Sequence, residues 1–306
     1  MTPATKGTYR MEQIPSIDLG PARSGREADR KAVAQQIDRA CREVGFFVVH
    51  GHGIERSLFE TAYAALQDFF SRPNAEKNAC RLAAGKTMPS DPYTPYGFSG
   101  LLEENAFAYM GEKGRPGDYV EKLSAGRMIL DDAVVLPFND DARGRDLRRA
   151  IKRYYQATDD VAATVMRLLT IPLGLQADFF ATRMDKSNDS LRCHYYPARA
   201  AAFSNDQGMG AHRDSSLITL LTHNSPGIEV RTRSGEWIEP HFRSVDEFIV
   251  NIGDLLAHST DMQYVSTPHR VVLSNRDRLS IVFFKLTNED DVVQIGNRQM
   301  DALFGR

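Results

Sequence analysis

The chain has 306 residues, 42% hydrophobic and 25% charged, with a formal net charge of −2. A chain of this size buries a sizeable core without disulfides, and its near-neutral balance creates no field that would select nucleic acid or an anionic membrane. Three scattered cysteines, Cys41, Cys80 and Cys193, exclude a disulfide framework or a CxxC site. No stretch approaches the ~20 apolar residues of a membrane span, and the N-terminus lacks a secretory apolar run, so a cytoplasmic protein is expected.

The first predicted element is a short strand in "IPSIDLG". Residues 26 to 44 predict a helix: Val33, Ile37, Ala40 and Val44 share one face, and Gly45 is the stop signal. "FFVVHG" predicts a buried strand. Ser57 is the expected cap of a second helix. Its apolar face holds Leu58, Phe59, Ala62, Leu66, Phe69 and Phe70, and Pro73 closes it. Residues 81 to 142, rich in Pro and Gly, predict loops and short strands. Residues 145 to 171 give the clearest helix, with Leu147, Ile151, Tyr154, Thr158, Val161, Val165 and Leu168 on one stripe. The basic residues of "RGRDLRRAIKR" fall between those positions, which makes them a solvated face rather than a nucleic-acid patch.

After residue 190 the texture changes. "LRCHYYP", "LITLLT", "GIEVRT", "EWIEP", "EFIVNIG", "HRVVL" and "LSIVFFK" are short β-rich runs separated by turn signals. A helical first half feeding an antiparallel second half predicts an α+β fold, a jelly-roll core buttressed by helices. No linker divides the chain, so residues 1–306 are expected to form one integrated domain.

Of eight histidines, only His212 opens a His-x-Asp. On an extended strand, positions i and i+2 face the same side, so His212 and Asp214 can address one interior point. His269 begins the strand-like "HRVV" and can enter the same barrel. Two imidazoles and one carboxylate on one side of a metal form the facial triad that holds Fe(II) and leaves positions open, in contrast to a closed structural zinc site. Arg278 and Ser280 also share a strand face, in an otherwise apolar run. An arginine pointing into a barrel needs an anion, and its planar fork matches a carboxylate. A structural salt bridge to a core acid is the other reading of Arg278. With metal at one end and the clamp at the other, a short dicarboxylate bearing an α-keto acid spans the two.

These motifs bring out a resemblance over roughly residues 13 to 300. "IPSIDLG", "CREVGFFVVHGHGI", "FFSRPNAEK", "YYP", "HRD", "STPHRVV" and "RLS" resemble the 2-oxoglutarate- and Fe(II)-dependent dioxygenases of the isopenicillin N synthase-like family. The resemblance implies a double-stranded β-helix fold. About residues 10–130 would be the family's N-terminal region and about 188–290 its jelly-roll core. It implies His212, Asp214 and His269 as iron ligands, with Arg278, Ser280 and an assisting Tyr196 on the C5 carboxylate of 2-oxoglutarate. It implies O2 as oxidant, release of succinate and CO2, and no side-chain general base beyond the metal ligands.

The chain departs from its relatives where many have Asn, at His194, and it reads Arg192-x-His194 where cephalosporin ring-expanding enzymes have Arg-x-Arg. His194 and Arg192 are candidates to support the ligands or to touch substrate. Phe284, Phe98 and Tyr96 are candidate pocket walls. His50 and His52, in a Gly-rich turn, are expected to be structural. The chain stops 26 residues after Ser280, where relatives often carry a longer extension, so closure of the site stays open.

The expected reaction is hydroxylation, desaturation or ring formation on a small metabolite of specialised metabolism, with no nucleic-acid or membrane partner. Two alternatives stand: an isopenicillin N synthase-type oxidase that consumes no 2-oxoglutarate, and a noncatalytic metal- or ligand-binding protein on the same fold. The primary substrate and the oligomeric state are left open.

Overall fold

The computed structural model describes residues 13–82, 96–107, 111, 114–137, 141–198, 207–241, 243–291 and 293–295. Strand β1 (Ser16–Asp18) leads into helix α1 (Glu27–Glu43). Val33, Ile37 and Ala40 are buried on the expected face, and Gly45 follows at φ 74°. A Cβ there would lie 2.0 Å from the Val265 carbonyl oxygen, so both the turn and the close approach require glycine. Strand β2 (Phe46–His50) and helix α2 (Arg56–Phe70) come next. Ser57 is not the cap: Glu55 holds that position, its carbonyl accepting from Leu58 N at 3.0 Å, and Ser57 lies inside the first turn. Helix α3 (Asn74–Ala79), strand β3 (Gly97–Ser99) and strand β4 (Glu121–Gly126) follow.

Helix α4 (Ala142–Leu169) starts earlier than its apolar stripe because Asp141 caps it, accepting from Gly144 N at 2.7 Å. All seven stripe residues are buried, while Arg143, Arg145, Arg149 and Arg153 are exposed. The short helix α5 (Ala181–Met184) precedes strands β5 (Ser190–Tyr196), β6 (Gln207–His212), β7 (Ile218–His223), β8 (Ile228–Arg231), β9 (Trp237–Ile238) and β10 (Phe248–Ile252). Helix α6 (Asp254–Ser259) and strands β11 (His269–Val272) and β12 (Arg278–Lys285) complete the described elements. The strand expected at His212–Asp214 lies earlier, as β6 ending at His212, and helix α6 was not expected. "QGMGAH" has too little β-branched character to announce a strand, and "IGD" reads as a turn where Asp254 in fact opens a helix.

The strands form two facing sheets. The larger runs β1-β2-β10-β7-β12-β5-β4-β3 and the smaller β6-β11-β8-β9. Apart from the parallel β1–β2 pair, neighbours are antiparallel. This is the jelly roll expected, and β1 and β2 of the N-terminal region extend the same sheet as the core strands. The outer face of the large sheet carries α1, α2 and α4 over a common apolar cluster. The hydroxyls of Tyr63 on α2 and Tyr154 on α4 both meet Thr222 Oγ1 on β7, at 2.9 and 2.8 Å. The inner face holds a smaller cluster of Phe46, Val48, Leu221, Ile249 and Val282.

At the end of β12, Lys285 Nζ donates to Asp159 Oδ1 and Asp189 Oδ2, each at 2.7 Å, and to Ser187 Oγ at 3.2 Å. This tie joins α4, β12 and the entry to β5. Removing one member leaves buried charge uncompensated, which costs more than the pair itself contributes. Lys285→Met is expected to destabilise the fold by roughly 3–5 kcal/mol in urea unfolding; a change below about 1 kcal/mol would show that the tie is dispensable.

Candidate active site

Strands β6 and β11 pair with His269 opposite His212, which sets the two imidazoles side by side, ring centroids 4.3 Å apart. Asp214 does not continue the strand. Strand β6 ends at His212, and Asp214 sits in the turn before β7, where its carbonyl accepts from Asp254 N at 2.7 Å. The turn still delivers the convergence that strand alternation predicted. Asp214 Oδ1 lies 3.6 Å from Nε2 of both His212 and His269. Among the described residues, these are the one group of three or more such side chains whose ligand atoms fall within 4.8 Å of one another.

The hydrogen bonds behind the triad fix its chemistry. His212 Nδ1 faces Gly210 O at 2.8 Å and His269 Nδ1 faces Thr267 O at 3.3 Å. A carbonyl only accepts, so each Nδ1 carries the proton and each Nε2 presents a lone pair inward. Asn251 Nδ2 donates to Asp214 Oδ2 at 2.8 Å, which leaves Oδ1 for the shared point. Burial raises the Asp214 carboxyl, but the two imidazoles, Thr219 and Asn251 outweigh it and hold the group below its ordinary range. Burial, aided by His269, lowers His212 and keeps it neutral. Two neutral nitrogens and one carboxylate oxygen on one side of a point fit a divalent iron with open positions.

The clamp is on the large sheet. Arg278 is 3% exposed; its Nη1 donates to Ser280 Oγ at 3.0 Å, its Nε to Ser225 O at 3.1 Å, and its guanidinium carbon stands 5.1 Å from the Tyr196 ring centre. Among the described residues, no carboxylate makes a salt bridge with it. A buried guanidinium with no salt-bridged carboxylate among the described residues fits one end of a dicarboxylate.

Register places other side chains on this inner face, since paired residues of neighbouring strands point the same way. Lys122, His194, Ser280 and His223 form one row across β4, β5, β12 and β7. Arg192 lies two residues before His194, and the Phe284 ring stands 5.7 Å from its guanidinium carbon. His194 is buried, with Nδ1 3.4 Å from the Tyr196 hydroxyl and Nε2 unpaired. Tyr96 and Phe98 are not brought to the triad; both pack in the helix-side cluster, Phe98 against Phe69. His52 is structural, as expected: Nδ1 accepts from Ile54 N at 3.1 Å and Nε2 faces Asp246 O at 2.7 Å. A crevice of about 610 Å3 opens by Arg23, His52 and Arg167. Its lining shares no residue with the triad or the clamp.

Residues 14–135 match the family model of the non-haem dioxygenase N-terminal region found in morphine synthesis, and residues 187–287 match that of the 2OG-Fe(II) oxygenase superfamily. The 2-oxoglutarate-dependent dioxygenase citB of Monascus ruber is 30% identical over 92% of this chain and 86% of its own. The chain belongs to the 2-oxoglutarate/Fe(II)-dependent oxygenase family. An isopenicillin N synthase from a Flavobacterium strain is 31% identical over 90% of this chain and 85% of its own. A full-length Neurospora crassa protein, solved in complex with alpha-KG, superposes with a TM-score of 0.78 at 24% identity, over 92% of this chain and 87% of that one, a likeness of fold. This oxygenase is an enzyme that uses Fe(II) and 2-oxoglutarate.

Several residues that build the oxygenase's site escaped the sequence reading. Asn251 was visible only as one polar residue within "FIVNI", a pattern that asks for a buried partner. Asp118 was invisible: its carboxylate accepts from Ala106 N at 2.7 Å and Gly210 N at 2.8 Å, tying a loop to the strand that carries His212.

His223, beside Ser280, is pushed down to about 3 by burial and by the Arg278 charge. The unfolded chain takes up a proton as pH falls below the ordinary value of 6.5, and the folded site refuses it. The contribution of His223 to stability is therefore complete above about pH 6.5 and lost toward pH 3, at up to roughly 1.4 kcal/mol per pH unit. Urea midpoints at pH 7 and 5 should show the fall, and His223→Gln should reduce it; an unchanged slope would contradict this account.

Proposed function

We propose that His212, Asp214 and His269 hold the iron, and that Arg278 and Ser280, assisted by Tyr196, bind the distal carboxylate of 2-oxoglutarate. The observation that carries the second half is the buried Arg278, which has no carboxylate partner among the described residues. Bound iron with 2-oxoglutarate supplies O2-dependent oxidation, releasing succinate and CO2. The chain's own part is orientation and exclusion. Asn251 aims Asp214, the Gly210 and Thr267 carbonyls aim the imidazoles, and the inner cluster of Val48, Leu221, Ile249 and Val282 keeps water out. No general acid or base is needed.

The substrate is a small organic metabolite of specialised metabolism, hydroxylated, desaturated or closed into a ring. Names of relatives support this class, among them rice gibberellin 20 oxidase 2 and citB. Residues 1–306 act as one integrated catalytic domain, a reading supported by β2 of the N-terminal region pairing with β10 of the core. The buried thiols of Cys41, Cys80 and Cys193 suit the reducing cytoplasm. No helix among the described residues is long and apolar enough to cross a membrane.

Metal content and anaerobic 2-oxoglutarate binding separate the two halves. His212→Ala and His269→Ala are expected to lose stoichiometric Fe(II). Arg278→Gln should keep iron and bind 2-oxoglutarate roughly a hundredfold more weakly, as loss of one partner of a buried charge pair requires. His212→Ala with full iron binding and turnover would overturn the metal assignment; Arg278→Gln with wild-type 2-oxoglutarate affinity would overturn the clamp.

A further inference from the structure

We propose that the molecule this enzyme oxidises is an apolar acid whose carboxylate is gripped by Arg192 and Lys122 on the barrel wall beside the triad. The inference rests on the active-site reading above and names the substrate class that site takes.

Two cations of the wall share one acid within salt-bridge distance. Lys122 is 2% exposed, and its Nζ donates to Glu104 Oε2 at 2.7 Å. The same oxygen is 3.6 Å from Arg192 Nη1. One carboxylate thus stands against an ammonium and a guanidinium, and among the described residues no second acid forms a salt bridge with either. Burial works against the Glu104 charge, yet Lys122 and Arg192 together hold its carboxyl below the ordinary range, so it stays ionised. The Asp118 charge also acts on Lys122, but its carboxylate is taken up by Ala106 N and Gly210 N and forms no salt bridge with either cation.

Unpaired polar atoms gather on the same patch. Ser124 Oγ, Arg192 Nε and His194 Nε2 are all buried without a hydrogen-bond partner. Ser124 pairs in register with Arg192, and His194 follows two residues along β5, so the three share one inner surface. Folded proteins rarely leave such groups unmatched, since each costs its full desolvation. A structural ion pair would require only Lys122 and Glu104. It would explain neither the Arg192 Nε nor the Ser124 hydroxyl. A carboxylate seated here satisfies both.

The patch is near the chemistry and separate from the clamp. Phe284, against Arg192, is the in-register neighbour of Thr219, whose hydroxyl helps hold Asp214. One aromatic ring therefore stands between Arg192 and the residue that supports the triad. Arg278 lies on the other side of His194, toward Tyr196. 2-Oxoglutarate has two carboxylates, one for the clamp and one for the metal, and neither is left for Arg192. The flanking surface is apolar, with Phe284, Val282 and Leu221, so the rest of the acid is expected to be hydrocarbon-like.

The probes are matched pairs: octanoate, phenylacetate and 3-phenylpropanoate against their primary amides. Each is titrated anaerobically into the enzyme loaded with Fe(II) and 2-oxoglutarate, followed by calorimetry, and then assayed in air for stimulated succinate release. Loading with 2-oxoglutarate is read first. If it does not bind, the active-site reading fails and this inference falls with it. If it binds, acids are expected to bind about tenfold or more tightly than their amides. Arg192→Gln should erase that preference and Arg192→Lys should keep part of it. Equal binding of acids and amides, no binding of any acid, or a full acid preference in Arg192→Gln overturns the proposal and leaves the 2-oxoglutarate reading intact. The wild-type comparison stands even if a variant fails to fold.

Discussion

Burial of the Asp214 carboxylate between two imidazoles is the constraint around which the catalytic end of the barrel is organised. A buried charge is tolerated only when its surroundings answer it. Here the answer comes from four parts of the chain. His212 arrives from β6 and His269 from β11 of the small sheet, Asn251 from β10 of the large one, and the backbone of Asp214 is held by the first residue of α6. The two sheets and a helix therefore meet at one carboxylate. One oxygen is tied to Asn251, and the other is left facing two imidazole lone pairs, a donor set that asks for a divalent cation.

The same economy of charge runs down the inner face of the large sheet. Arg278, Lys122 and Arg192 project from β12, β4 and β5 into a space otherwise walled by Val282, Leu221 and Ile249. Glu104 answers part of that charge. On the helix side of the sheet, Lys285 instead meets two acids, Asp159 and Asp189. The Lys285 cation has its acids built in. For Arg278, the acid is assigned to a ligand.

The sequence made the site legible where residues sit on regular elements. Arg278 and Ser280 alternate on a true strand, and the face they share follows from a period of two. The α4 stripe was equally plain because its seven apolar residues keep helical spacing. His212 and Asp214 were found by the same strand argument, although Asp214 lies in a turn; the inference survived because hydrogen bonding to Asp254, rather than pleating, directs the carboxylate inward. Features held by tertiary contacts were not legible. Asn251, Asp118 and Glu104 act through partners distant in sequence. Phe98 on β3, with Tyr96 just before it, packs toward the helices, and nothing local shows which face meets them.

The central claim is that one ligand is read at both ends, by metal at its keto acid and by Arg278 at its far carboxylate. Pyruvate carries the keto acid and lacks the far carboxylate, so it isolates the second contact. Anaerobic titration of the Fe(II)-loaded enzyme with each compound tests the claim directly. The account predicts that 2-oxoglutarate binds roughly a hundredfold more tightly than pyruvate, the value of a buried charge-assisted pair. Equal affinity for the two would contradict it.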